Sequence, residues 1–90
     1  MNGLKYIQKI LKNKGYYCEY KQISDASEKI LFCGIKDNTF FVKLGKEFYI
    51  KMTDNKYKIQ YANSQLGLEK DFTDTEKLLK FIKQVFPIED

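Results

Sequence analysis

From Glu28 to Ala62 the chain alternates apolar and polar residues with period two, and residues that favour tight turns interrupt it at short intervals. Such alternation puts successive side chains on opposite faces of a strand, so the stretch predicts four short strands in an antiparallel meander. Asp37-Asn38 and Asp54-Asn55 are two-residue turn signals, because Asn tolerates the left-handed conformation these turns need. The first sets Lys36 opposite Thr39, Cys33 opposite Val42 and Leu31 opposite Leu44. The second sets Thr53 opposite Lys56, Met52 opposite Tyr57, Ile50 opposite Ile59 and Phe48 opposite Tyr61. Between the hairpins, a three-residue loop of Gly45-Lys46-Glu47 opposes Leu44 with Phe48 and keeps the apolar residues together. A two-residue loop would turn Lys51 inward, so the pattern selects the longer one.

On either side the period changes. Leu4, Ile7, Ile10 and Leu11 recur at helical spacing, with Asn2 as the cap and Gly15 as the stop. Tyr16 to Lys21 (YYCEYK) reads as a further strand, with tyrosines on both faces, and Gln22 to Ser27 as a polar loop. The segment from Asn63 to Asp71 reads as a loop with Leu66 and Leu68 beneath it. Thr73 then caps a second helix, Glu76 completes a capping box, and Leu78, Leu79, Ile82, Val85 and Phe86 form its apolar stripe up to Pro87. The predicted order is α-β-β-β-β-β-α. This is an α+β fold, an antiparallel five-stranded meander sheet with two helices packed on one face, in a single domain over residues 1–90.

In that register the face turned away from the helices carries Phe32, Lys43, Tyr49 and Gln60 in one row. Gly34, Phe41, Lys51 and Lys58 form the next, and Lys36, Thr39, Thr53 and Lys56 the last. The candidate binding residues are therefore Phe32, Phe41, Lys43, Tyr49, Lys51, Lys56 and Lys58. Aromatic rings interleaved with lysines suit stacked bases and phosphates, or an acidic protein partner. The plainer reading is that the lysines keep a solvent-facing sheet soluble while Phe41 covers Gly34. Both readings stand at this point.

The net charge of +4 favours an anionic partner, but all sixteen basic residues are lysine, and Ile, Asn, Tyr and Phe are abundant, as in products of AT-rich genomes. Without Arg the chain lacks the side chain on which base readout and bidentate phosphate clamps most depend, although lysines still follow a backbone as point charges. Catalysis finds little support. There is no His, and Asp37, Asp54, Asp71 and Asp74 are explained as turn, loop or helix-start residues. Glu19 and Glu47 have no evident carboxylate partner. Cys18 and Cys33 form no metal-binding motif and read as buried free thiols, with a disulfide between neighbouring strands as the alternative in an oxidising compartment. No cofactor motif is present. The absence of a leader, a lipidation motif or a long apolar run predicts a cytoplasmic protein with no membrane partner.

The opening MNGLKYIQKILKNKGY helix, the DN-turn hairpins and the helix near the C-terminus resemble small phage-encoded anti-CRISPR proteins of AT-rich bacteria. The resemblance lies in the element order and in the N-terminal part of the chain up to the first DN turn. It implies a non-enzymatic inhibitor of phage or mobile-element type that docks on a host protein or nucleoprotein complex. Members that mimic DNA are strongly acidic, whereas this chain is basic, so that mechanism and its residue roles do not carry over. Direct nucleic-acid binding through the lysine and aromatic face is the second reading. A homodimer formed through that face is the third.

Overall fold

The computed structural model describes residues 3–22, 29–36, 42–53, 55–63 and 66–88. The elements are α1 (Leu4–Asn13), β1 (Tyr17–Gln22), β2 (Lys29–Lys36), β3 (Val42–Thr53), β4 (Lys56–Asn63), β5 (Leu66–Phe72) and α2 (Thr75–Val85). The strands form one antiparallel sheet in chain order, β1-β2-β3-β4-β5. Ile7 and Leu11 of α1 and Leu78 and Ile82 of α2 are fully buried in one cluster with Leu31, Cys33, Phe48, Ile50, Tyr57 and Ile59. The predicted α+β class, with two helices on one face of a five-stranded meander, is the observed one.

Each helix begins one residue later than the sequence suggests. The N-cap of α1 is Gly3, with no side-chain cap bond, and Asn2 lies outside the described residues. Its far end is a Schellman motif: the Tyr16 amide donates to the Leu11 carbonyl and the Gly15 amide to that of Lys12, 3.0 and 3.1 Å away. The N-cap of α2 is Asp74, whose Oδ1 accepts from the Glu76 amide at 2.9 Å, in place of the Thr73–Glu76 capping box. A carboxylate at this position both accepts an orphan N–H and meets the positive end of the helix dipole, which favours it over the threonine.

The sheet departs from the expected strand boundaries in two places. β3 runs unbroken through Gly45-Lys46-Glu47, where a loop was expected. Gly45 does take a left-handed backbone, at φ 80°, but within an irregular stretch of β3 rather than a hairpin turn. Consequently Leu31 lies opposite Ile50 and Cys33 opposite Phe48, while Lys36 lies opposite Val42. The observed and expected partners of Leu31 and Cys33 differ by an even number of residues, so alternation alone cannot separate the two registers. In the observed register Leu31, Cys33, Phe48 and Ile50 are all fully buried in the core. The second departure is β5, which occupies the expected loop and pairs along β4 from Tyr57–Phe72 to Asn63–Leu66. The β3–β4 register is as predicted, from Phe48–Tyr61 to Thr53–Lys56, and Asn55 in its turn has φ 63°.

Two aromatic contacts close the core. Phe48 stacks on Phe86 with ring centroids 4.6 Å apart and meets Tyr16 edge-on at 6.1 Å. The Tyr16 hydroxyl in turn donates to the Phe86 carbonyl at 2.6 Å, tying the end of α1 to the end of α2.

The register of β2 against β3 makes a testable demand at Gly34. A Cβ there would lie 2.3 Å from Val42 Cγ1 and 3.1 Å from the Lys46 carbonyl oxygen. Val42 is β-branched and stiff, so it cannot swing clear. Gly34→Ala is expected to destabilise the fold by about 1–3 kcal/mol, read from the urea midpoint at unchanged slope. A neutral Gly34→Ala would reject this register.

Candidate functional site

β1 supplies three positions on the open face that the sequence left unassigned, because its tyrosines fall on both sides of the strand. The pairing resolves them. Glu19, Phe32, Tyr49, Gln60 and Glu69 are aligned across the five strands, and Lys21, Ile30, Lys51, Lys58 and Asp71 form the adjacent row. Tyr17 lies opposite Gly34, which lies opposite Glu47.

The centre of this face is aromatic. The Phe32 ring lies 5.1 Å from Tyr49 and 6.0 Å from Tyr17, both edge-to-face, and Lys21 Nζ stands 5.7 Å from the Phe32 ring centroid. Each ring contact of this kind adds about 0.5–1.5 kcal/mol beyond the area it buries, so the three rings form one ordered patch. All three are only half-buried, since neither helix covers this side of the sheet. At the β1 end the patch opens into a cavity of about 280 Å³ lined by Tyr17, Glu19, Tyr20, Lys21 and Phe32.

The rim carries both signs of charge. Gln60 Nε2 donates to Glu69 Oε1 at 2.7 Å, and Lys58 Nζ lies 3.7 Å from Glu69 Oε2. The Gln60 hydrogen bond first, and then the Lys58 charge, hold the Glu69 carboxyl below its ordinary range. Asp71 lies opposite Lys58, and Glu19 pairs with Lys12 of α1 at 3.0 Å. The sequence implied a basic platform. The folded face is close to balanced, because β1 and β5 bring Glu19, Glu69 and Asp71 onto it.

Of the candidate binding residues, Phe32, Tyr49, Lys51 and Lys58 are gathered on this face, and Lys56 extends it opposite Thr53. Lys43 does not join the row: Phe32 is opposite Tyr49 directly, and Lys43 is exposed next to Val42, in the irregular stretch of β3. Phe41 lies outside the described residues. Tyr17, Lys21 and the acidic members were missed. A period-two signal for β5 was present in Leu66, Leu68 and Phe72, but Lys70 at the third inward position broke it.

On the covered side Cys18 and Cys33 lie directly opposite each other, buried, with their sulfurs 3.1 Å apart. Burial first, and then the neighbouring Cys18 thiol, push the Cys33 thiol upward, so it is held protonated and is a poor nucleophile. Among the described residues no cluster of His, Cys, Asp and Glu could hold a metal ion, and no helix is long and apolar enough to cross a membrane. Comparison with protein-family models, curated proteins and solved structures returns no match.

The Glu69 cluster is open to direct titration. Its folded pKa is lowered, so the stabilisation from its partners is present above the ordinary carboxylate range and is lost as pH falls through the lowered value. By carbon-detected NMR, Glu69 is expected to titrate below the ordinary value of 4.5, and Gln60→Ala to move the midpoint upward more than Lys58→Gln does. An unmoved midpoint in Gln60→Ala would show that the hydrogen bond is not the main cause.

Proposed function

We propose that this chain is a non-catalytic binding protein that docks through the open face of its sheet on a host protein or on the protein part of a nucleoprotein complex. The observation that carries the reading is the patch of Tyr17, Phe32 and Tyr49, ordered by ring contacts and left uncovered by both helices. Protein interfaces combine an aromatic centre with a polar rim of mixed charge, and this face has that composition. Direct nucleic-acid binding through the same face is the weaker reading. Glu19, Glu69 and Asp71 would lie against a phosphate backbone there, and Lys58 and Gln60 already engage Glu69.

The resemblance to small phage-encoded anti-CRISPR proteins supplies the class of partner to test first, an RNA-guided nuclease complex. Inhibition would follow from occupying a surface the effector needs, with no bond made or broken. The chain is mixed with purified effector complexes, and complex formation is followed by size exclusion together with DNA cleavage. Phe32→Ala and Tyr49→Ala should each weaken the complex by about 30-fold or more, as for central aromatic anchors, with the helical circular dichroism preserved. A complex that survives both substitutions at native affinity would exclude this face.

A further inference from the structure

Lysines occur on both sides of the sheet, but those of the helix layer have few acids among them. On α1, Lys5, Lys9 and Lys12 recur at i, i+4 and i+7 and are exposed, away from the buried Ile7 and Leu11. On α2, Lys77, Lys80 and Lys83 recur at intervals of three and are likewise exposed. Glu76 is the one acidic residue within either helix, and no acidic residue occurs before Glu19 or between Lys77 and Ile88. Biased residue usage alone would scatter lysines among acids. Here the acids of the described strands lie on or beside the open face, and Lys12 is the one helix lysine with a salt bridge among the described residues.

A groove runs between the ends of the two helices. A cavity of about 230 Å³ between the helices is lined by Leu11, Tyr16, Leu79 and Ile88, with Lys14 and Lys83 among its walls. Tyr6, on the exposed side of α1 with Lys5 and Lys9, is 45% exposed and offers a ring for stacking. A phospholipid surface would need an apolar helix face to enter it, and the apolar stripes of both helices are already buried against the sheet. An acidic protein would need a cluster of anchors, and Tyr6 is the single large exposed hydrophobic residue of this layer among the described residues.

We infer that the helix layer is a second binding surface, which holds a nucleic-acid backbone without regard to base sequence. Lysines of α1 and α2 meet the phosphates, and Tyr6 stacks against an unpaired base. The site is independent of the sheet face proposed above to bind protein, and the two fail separately.

Fluorescence anisotropy with labelled single-stranded and duplex DNA of mixed sequence tests it on the full chain. If four phosphates are neutralised, affinity should fall about 50-fold for single strands and about 150-fold for duplex between about 50 and 200 mM salt. Joint replacement of Lys5, Lys9, Lys80 and Lys83 by Gln should weaken binding at low salt at least about tenfold and flatten the salt slope, with the melting temperature unchanged. Tyr6→Ala should weaken single-stranded binding more than duplex binding. Lys51→Gln with Lys58→Gln, on the opposite face, should leave both affinities intact. The inference is overturned by no binding to either DNA at the lower salt, by a flat salt response, or by equal loss in the sheet variant. Tighter binding to phosphatidylserine vesicles or to polyglutamate than to DNA would also overturn it.

Discussion

Phe48 is the residue on which the two layers depend. It is fully buried at the centre of β3, stacks on Phe86 beyond the end of α2 and meets Tyr16 beyond the end of α1. Both helix ends are therefore fixed to one ring of the sheet, and the Tyr16–Phe86 hydrogen bond fixes them to each other across seventy positions of sequence. Truncating a buried aromatic of this kind costs about 3–5 kcal/mol, a large share of the stability of a domain this small. The same ring lies opposite Cys33 in the register of β2 on β3.

With the helices fixed on one side, the chain presents two surfaces of different chemistry. The uncovered sheet offers half-buried rings within a rim of both charges, where Gln60, Lys58 and Glu69 are engaged with one another. The helix layer offers rows of exposed lysine with little acid among them. Burial of the apolar stripes is what turns the lysines outward, so the basic layer follows from core packing. The sheet face, by contrast, exists because two helices cover one side of five strands and leave the other open.

The two proposed roles divide between these surfaces, one assigned to protein and the other to phosphate. The absence of Arg fits that division. Lysine point charges suffice for a backbone held without base readout, whereas the aromatic face owes its order to ring packing rather than to guanidinium forks.

Much of the fold was legible in the sequence because period and turn chemistry are local properties. The helical spacing of Ile7 and Leu11 and of Leu78 and Ile82, the Asn55 turn and the whole β3–β4 register follow from neighbours within a few residues. So do four members of the candidate face, Phe32, Tyr49, Lys51 and Lys58. What the chain could not show on its own was which of two same-parity registers β2 would take, or that Leu66–Phe72 would become a strand. Each depends on a partner distant in sequence: Phe48 must fit beneath Phe86 and Tyr16, and β5 is a strand because β4 presents an edge for it to pair with. The second of these choices adds Glu69 and Asp71 to the open sheet and so decides the charge on that face.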